Sequence, residues 1–399
     1  MKKLALIYTL FVCYAPATYL ILPNIYGDIS IVWVMFFIGV IWFYPKAVMD
    51  ANLSVANPWI FCLGFLSLLY FASIFWTDGY SYDLITFQRL FARRLVPLLV
   101  AIMALSLFVQ QVNAVRFIKH FLIVCCFLSI YAGYQKFFGE SLAKDERAAA
   151  TFHNPNALAL FLMMAVPSTL YLLETKQIKR YIGLVVIAII IVGIILTGSR
   201  KGVATTALSV ILYFLLNRQF KKVLFSLVAA SIILIIALTT SDTVSKRFNL
   251  EDLDERAHVA GTAFNMFLDK PIVGWGFNGF RDQYAKFFPL SQKDSFTSHN
   301  TYATILANYG MLGFIPFIGI FLIPIWTARK VLKRWRYRAN DHQKGVAALT
   351  ISTTIPFMIA IYFTGGNFQM YYMNMILFTL MSFHLAQYKA LEKEIKASK

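Results

Sequence analysis

Charged residues are scarce in this sequence. Only 14% of its 399 residues are charged, whereas a soluble protein of this size carries about 25%. Hydrophobic residues make up 59% of the chain. So little charge excludes a soluble protein, and it predicts helices that cross a membrane, because about 20 apolar residues span the hydrocarbon core.

Cysteine is also rare, and no metal-binding motif is present. The four cysteines are Cys13, Cys62, Cys125 and Cys126. All of them fall within apolar runs and none has the spacing of metal ligands, so we expect no disulfide framework. HExxH and Cys-x-x-Cys patterns are missing from the sequence. We therefore predict that the protein uses no catalytic metal and no cofactor.

Twelve apolar runs predict twelve helices. They cover residues 4–22, 29–45, 58–76, 92–109, 117–138, 156–173, 181–197, 202–216, 223–240, 301–327, 346–364 and 369–387. Backbone groups in lipid have no water to bind, which makes helices the natural solution. We predict an all-α, polytopic integral membrane protein, with residues 1–399 as one domain and 241–300 as a long outer loop. The first run resembles a secretory signal but is too long for one, so we expect an uncleaved span.

The lysines and arginines predict the orientation of these helices. If both termini are cytoplasmic, 22 of the 37 basic residues but only five of the 19 acidic ones fall on the cytoplasmic side. This distribution follows the positive-inside rule. The net charge of +18 then reflects topology and attraction to anionic membrane lipids, and no nucleic-acid partner is expected.

Several basic residues remain at the outer ends of the predicted helices. Arg89 and Arg93 lie at the start of the fourth run, Arg147 precedes the sixth, and Arg200 and Lys201 occupy the turn between the seventh and eighth. The planar guanidinium group matches phosphate, and helix N-termini also attract anions. These residues predict an outer site for a lipid-linked phosphate or pyrophosphate. The alternative is that they anchor the helices at the headgroups.

The long outer loop contains two recognisable segments. Residues 252–269 carry apolar side chains at helical spacing, which predicts a helix lying on the membrane surface, with Arg256 in its first turns. An ordinary surface arginine in an ion pair is the alternative for Arg256. Residues 271–280 combine three glycines with aromatic residues. This composition predicts a compact turn whose aromatic surface suits the membrane interface or a sugar.

A histidine stands where the outer loop meets a long apolar run. Thr297 or Ser298 can cap that helix, which would leave His299 at its start. The helix dipole disfavours a protonated imidazole there, and a neutral imidazole can accept a proton from a hydroxyl group. We therefore predict a catalytic role for His299, with Asn300 and Tyr302 contributing to substrate binding. The alternative is an interfacial histidine without chemistry.

The order of these segments resembles the O-antigen ligase/polymerase superfamily. The resemblance covers mainly residues 147–313. It rests on Arg147 with Asn154-Pro155-Asn156, on Ser199-Arg200-Lys201-Gly202, on Arg256, on residues 271–280, and on His299-Asn300-Thr301-Tyr302 with Tyr309-Gly310 and Gly313.

The resemblance implies a glycosyltransferase of the bacterial inner membrane with its active site facing the periplasm. The donor would be a glycan on undecaprenyl pyrophosphate, and membrane lipids would surround the enzyme. The arginines that hold the pyrophosphate in this family match Arg200 and Arg256, and the family histidine matches His299; Arg147 is a weaker match. These matches imply a metal-independent transfer, which would be inverting if the displacement is direct.

Three interpretations are considered, and the acceptor distinguishes the first two. A ligase, the favoured one, transfers the glycan to a sugar hydroxyl of lipid A–core, whereas a polymerase transfers it to another lipid-linked repeat. The outer loop is rather short for this superfamily, which leaves both open. A transporter or flippase is the least favoured, since the spans are nearly free of charge and the basic residues concentrate at one interface.

Overall fold

A computed structural model describes the protein as a bundle of α-helices. It describes residues 2–18, 36, 38–40, 42, 57–77, 95–108, 113–139, 147–152, 154–228, 250–288, 300–363 and 371–398, and no β-strand occurs among them. The helices are α1 (Lys2–Thr18), α2 (Pro58–Ala72), α3 (Val96–Met103), α4 (Ala114–Phe138), α5 (Pro155–Glu174), α6 (Arg180–Leu196), α7 (Arg200–Leu216), α8 (Leu250–Asp269), α9 (Gly279–Phe287), α10 (Thr301–Lys333), α11 (Asp341–Tyr362) and α12 (Tyr371–Ala397). Residues 220–228 are also helical.

The all-α, polytopic membrane fold predicted from the sequence is confirmed. Five stretches of the described chain are long and apolar enough to span a membrane: Pro58–Trp76, Ala114–Phe138, Pro155–Glu174, Thr301–Lys333 and Asp341–Tyr362. Shorter apolar helices cover Ala5–Ala17, Val96–Phe108 and Arg180–Leu196. The count of twelve stays a prediction, because much of the runs 29–45 and 223–240 lies outside the described residues.

Helix α5 forms the centre of the bundle. Its side chains from Ala157 to Leu172 are buried around the whole circumference, and it packs against α4, α6, α7 and α11. A helix that is apolar on every side is stable only when other helices or lipid surround it. Asn154 caps α5: its side-chain oxygen accepts a hydrogen bond from the backbone N–H of Asn156 at 2.9 Å, and Pro155 is the first helical residue.

Helix α10 is broken at Gly310, whose backbone angles (φ 56°, ψ −157°) are not helical. The carbonyl groups of Ala307 and Asn308 before the break accept hydrogen bonds from the N–H groups of residues 275 and 276, at 2.9 and 2.7 Å. After the break, the N–H groups of residues 311 and 312 donate to the carbonyl groups of Pro271 and Ile272, at 2.9 and 3.1 Å. The turn 271–276 thereby satisfies backbone groups that a helix end leaves without intrahelical partners.

The segment 250–288 folds onto the first part of α10. Its small separate core consists of Val259, Ala263, Met266, Trp275, Phe280, Tyr284 and Ala307. Trp275 is central, because its indole N–H also donates to the carbonyl of Met266 at 3.1 Å. The predicted helix over 252–269 and the predicted compact turn over 271–280 are both present in this segment.

The motif-bearing segments lie at one end of the bundle, which we call the motif end. It contains the starts of α5, α7 and α10 and the end of α11, which contact one another through Asn156, Ser199, Lys201, Tyr302 and Phe363. The other end, called the opposite end, contains the end of α5 and the start of α11, with the ion pairs Lys222–Glu174 (3.1 Å) and Lys344–Asp341 (2.7 Å).

Candidate functional site

Arg200 is the first residue of α7 and its side chain is exposed at the motif end. Ser199 is the N-cap, and its hydroxyl oxygen accepts a hydrogen bond from the N–H of Gly202 at 3.2 Å. The positive end of the helix dipole and the permanent charge of the guanidinium group therefore coincide at Arg200. This combination suits a phosphate or pyrophosphate ligand.

Arg147 makes contacts inside the protein. Its Nε donates a hydrogen bond to the carbonyl oxygen of Thr197 at 2.8 Å, and its Nη2 donates to the side-chain oxygen of Asn156 at 3.3 Å. The hydroxyl of Ser199 donates to the same Asn156 oxygen at 2.8 Å. Arg147 thus joins the start of α5 to the turn that precedes Arg200. Its predicted role in substrate binding stays a prediction, and these contacts favour a role in positioning Arg200.

Lys201 connects α7 to the end of α11. Its side chain is half-buried, and Nζ lies 3.5 Å from the carbonyl oxygen of Phe363, the residue that follows α11. The ring of Phe363 packs edge-on against Tyr362, with ring centres 5.0 Å apart. The ring centres of Tyr362 and Tyr302 are 6.3 Å apart. A continuous chain of contacts therefore runs from the Arg200 turn to the start of α10.

The structure corrects the predicted start of α10. Asn300, not Thr297 or Ser298, is the N-cap, and its side-chain oxygen accepts from the N–H of Ala303 at 3.2 Å. His299 consequently stands before the cap and not within the first turn. Thr297, Ser298 and His299 themselves lie outside the described residues.

Asn300 and Tyr302 both use polar atoms to fix the start of α10. The hydroxyl of Tyr302 donates to the carbonyl oxygen of Met358 in α11 at 2.8 Å, and its ring packs edge-on against Phe317. The carbonyl group of Asn300 accepts from the N–H of Thr304 at 3.0 Å. These contacts orient the segment that begins directly after His299, while the predicted substrate roles of the two residues remain predictions.

The remaining predicted site residues lie outside what the structure describes in atomic detail. Arg256 belongs to α8, but its side chain is among those left undescribed, and Arg89 and Arg93 lie outside the described residues. Gly276 lies against Ser73 and Thr77. Arg89 and Arg93 belong to residues 78–94, which follow Thr77 in the chain.

The turn 271–276 was not predicted to be a positioning element, yet it adjoins three segments that carry or border predicted site residues. It follows α8, which carries Arg256; it fills the break in α10, which follows His299; and it contacts the end of the Pro58–Trp76 span. Asn308 reinforces the junction, because its side-chain oxygen accepts from the N–H of Phe280 at 2.7 Å. An asparagine two residues before a glycine, inside an apolar run, was the available signal.

Two cavities lie at the opposite end, away from the motif end. One of about 770 Å³ is lined by residues that include Asn113, Glu174 and His342. The other, of about 410 Å³, is lined by residues that include Tyr213 and Arg336. Cavity size therefore does not identify the motif end, whose character depends on helix starts and basic side chains. Within the described part of the chain, no group of three His, Cys, Asp or Glu residues is placed to hold a metal ion.

Comparison with known proteins matches the segment in which most of these motifs occur. Residues 183–318 match the family model described as O-antigen ligase. This range includes Arg200, Arg256 and His299 and excludes Arg147. The predicted family resemblance is confirmed over these residues.

Two curated relatives extend the similarity. The teichuronic acid biosynthesis protein TuaE of Bacillus subtilis is 24% identical over 331 residues, which cover 75% of this chain and 64% of TuaE. An uncharacterized protein of Haemophilus influenzae is 28% identical over 271 residues, covering 61% of this chain and 64% of the relative. The chain thus spans 64% of the length of each of these relatives.

Proposed function

We propose that this chain is a membrane glycosyltransferase that uses a lipid-linked glycan as donor, because its residues 183–318 match the family model described as O-antigen ligase. The proposed donor is a glycan on undecaprenyl pyrophosphate, and the proposed acceptor is a sugar hydroxyl of lipid A–core. The observation that carries the proposal is the position of Arg200, at a helix start that Arg147 and Asn156 join to the centre of the bundle. A permanent cation at a helix N-terminus is suited to a pyrophosphate.

The proposed reaction is a direct displacement at the anomeric carbon. His299 accepts the proton of the acceptor hydroxyl, and the oxygen attacks the anomeric carbon on the face opposite the leaving group. The bond between that carbon and the pyrophosphate oxygen breaks, and undecaprenyl pyrophosphate leaves with the electron pair. Arg200 and Arg256 stabilise the negative charge that develops on it. The configuration at the anomeric carbon is inverted, and no metal is required to neutralise the leaving group.

The motif end faces the periplasm in this proposal. The opposite end carries Lys222 and Lys344 in ion pairs and lies beside Arg336. Basic residues are enriched on the cytoplasmic side of membrane proteins. This distribution supports an inner-membrane protein with both termini in the cytoplasm and its active site on the other side.

The second candidate is a polymerase of the same superfamily, which would extend another lipid-linked repeat. The relative from Bacillus subtilis favours it, because its name refers to teichuronic acid biosynthesis and not to lipid A. Both candidates share the donor, the arginines and the histidine. They differ only in the acceptor whose hydroxyl group reaches the anomeric carbon.

The experiment is a transfer assay with the purified full-length chain in liposomes that contain the lipid-linked glycan. Lipid A–core and lipid-linked repeat are offered separately as acceptors, and the extended product is measured. Arg200→Ala, Arg256→Ala and His299→Ala should each lower transfer at least about a hundredfold, the size expected when an oriented stabilising group is removed. Arg281→Ala is the matched control, since Arg281 is an exposed arginine of α9. Near-normal transfer by all three variants would refute the site. Absence of product with both acceptors would refute the proposed function.

A further inference from the structure

Helix α8 has an exposed apolar stripe that is not part of the small core of segment 250–288. Val259, Ala263 and Met266 face the small core and are buried. Phe264 and Leu268, one helical turn apart, are 54% and 58% exposed. Two neighbouring large apolar side chains on a helix surface mark a contact with something other than water.

A separate polar stripe shows which side of α8 is suited to water. His258, Asn265 and Asp269 are exposed and share a face, because residues three, four and seven apart lie above one another on a helix. The helix therefore has a buried face, an exposed apolar stripe and an exposed polar stripe. This division is typical of a helix that lies at the boundary between a protein, lipid and water.

The apolar stripe continues into the transmembrane helix α10. After α8, the backbone of Ile272 lies next to that of Leu312, because the N–H of Leu312 donates to the carbonyl of Ile272 at 3.1 Å. The side chain of Ile272 is exposed. Leu312 and Ile315 are exposed on the part of α10 that follows the break. We call the surface formed by Phe264, Leu268, Ile272, Leu312 and Ile315 the apolar edge.

We propose that the apolar edge is in contact with lipid acyl chains, so that α8 lies in the surface of the bilayer and not above it. The argument for lipid is continuity. Helix α10 is a candidate membrane span, and its exposed apolar residues face the hydrocarbon when it crosses the membrane. A backbone hydrogen bond joins one of them, Leu312, to Ile272. A partner protein on the edge would have to cover the lipid-facing surface of α10 as well.

The lipid contact fixes the depth of the backbone that carries Arg256. Arg256 precedes Phe264 by eight residues, or about 12 Å along the helix. A helix embedded by Phe264 and Leu268 therefore holds that backbone near the lipid headgroups. This last step rests on the proposed function, since it matches the depth at which a lipid-linked pyrophosphate lies; the lipid contact does not depend on it.

The test measures the surroundings of single spin labels in proteoliposomes. Labels are attached to cysteines introduced at Phe264 and Leu268, with Asn265 and His258 as controls on the polar stripe. The four native cysteines, which are buried or lie within apolar helices, are first replaced. Collisions with oxygen, which concentrates in lipid, are compared with collisions with a water-soluble nickel chelate. The labels at 264 and 268 should favour oxygen severalfold over the labels at 265 and 258.

Two results would overturn the proposal. Equal access of the nickel chelate to positions 264 and 265 would place the edge in water, and low access of both reagents to position 264 would mean that protein covers it. Size-exclusion chromatography of each labelled protein ensures that only folded molecules are compared. No glycan is present in this measurement, so its failure leaves the transfer assay unaffected, and failure of the transfer assay leaves the lipid contact unaffected.

Discussion

Arg147 illustrates how one charged side chain can organise a site without touching substrate. Its guanidinium group binds the carbonyl of Thr197 and the side chain of Asn156, and Ser199 binds the same asparagine. Hydrogen bonds from an ionised donor are about twice as strong as neutral ones. The planar fork of arginine serves two acceptors at once, which a lysine ammonium cannot reproduce in the same geometry. The turn that precedes Arg200 is therefore fixed from two sides.

Replacing Arg147 should impair the chemical step more than donor binding. We expect Arg147→Ala to lower kcat about a hundredfold, because a displacement of a catalytic group by about 1 Å has that effect, while the KM for the donor changes little. Arg147→Lys should restore only part of the loss. Steady-state kinetics with Arg281→Ala as control measures both constants. A large rise in KM with an unchanged kcat would instead assign Arg147 to substrate binding.

Tyr302 allows a similar distinction between structural and substrate-binding roles. Its hydroxyl donates to the carbonyl of Met358 at 2.8 Å, so Tyr302→Phe should lower the free energy of unfolding by about 1 kcal/mol, the usual net value of one hydrogen bond. The donor KM should stay near that of the wild type. Thermal unfolding in detergent and the transfer assay measure the two effects. Unchanged stability with a raised KM would contradict the structural role.

Local sequence identifies some helix caps and not others for a simple physical reason. Asn154 followed by Pro155 leaves little choice, because asparagine favours the cap and proline the first helical position. At the start of α10, Thr297, Ser298 and Asn300 are all able to cap a helix. Non-local contacts, such as the hydrogen bond from Tyr302 to Met358, hold the segment that follows Asn300. Such contacts are not visible in the local sequence.

At the scale of an element, the break in α10 is the feature that the apolar pattern did not predict. The run 301–327 was predicted as one helix, and its hydropathy is continuous across Gly310. The partner of the break is the turn 271–276, which is more than thirty residues away along the chain. Side-chain periodicity reports which face is apolar, but it does not report where a distant backbone replaces helical hydrogen bonds.

Gly310 should tolerate no side chain. Its φ of 56° is unfavourable for other residues, and an added Cβ would overlap the backbone of Ile272. Gly310→Ala should therefore lower the free energy of unfolding by more than the roughly 1–2 kcal/mol of a left-handed backbone alone. Gly261 is the matched control, since it lies within α8, has helical backbone angles and has open space around it.

Thermal unfolding compares the two glycine variants. If the turn 271–276 is held by the break in α10, Gly310→Ala lowers the free energy of unfolding and Gly261→Ala does not. Gly261→Ala should be neutral or stabilising by about 0.5–1 kcal/mol, because alanine favours the helix. Gly310→Ala should also reduce transfer, since the break connects the segments of Arg256 and His299. Equal stability of the two variants would mean that the turn 271–276 is not held by the break.

At the scale of the whole molecule, composition predicted the fold class because lipid allows few alternatives. Apolar runs of span length must be helical, and five such helices are present in the described chain. The site was harder to predict, because Arg147, Ser199 and Tyr302 come from separate segments that only the packing of α5, α7, α10 and α11 brings to one end. The family resemblance supplied the order of these segments, but not their contacts.

The orientation of the bundle in the membrane is the last prediction. The proposed transfer to a periplasmic acceptor depends on it. Arg281 and Lys393 are exposed residues of α9 and α12, so a cysteine at either position should be accessible to a thiol reagent. A membrane-impermeant reagent applied to spheroplasts should label Arg281→Cys directly, because the positive-inside rule places α9 outside. It should label Lys393→Cys only after the membrane is permeabilised. The native cysteines, buried or within apolar helices, contribute little background, and the unmodified chain measures it. The reverse labelling pattern would put Arg200 on the cytoplasmic side, where a periplasmic acceptor cannot reach the donor.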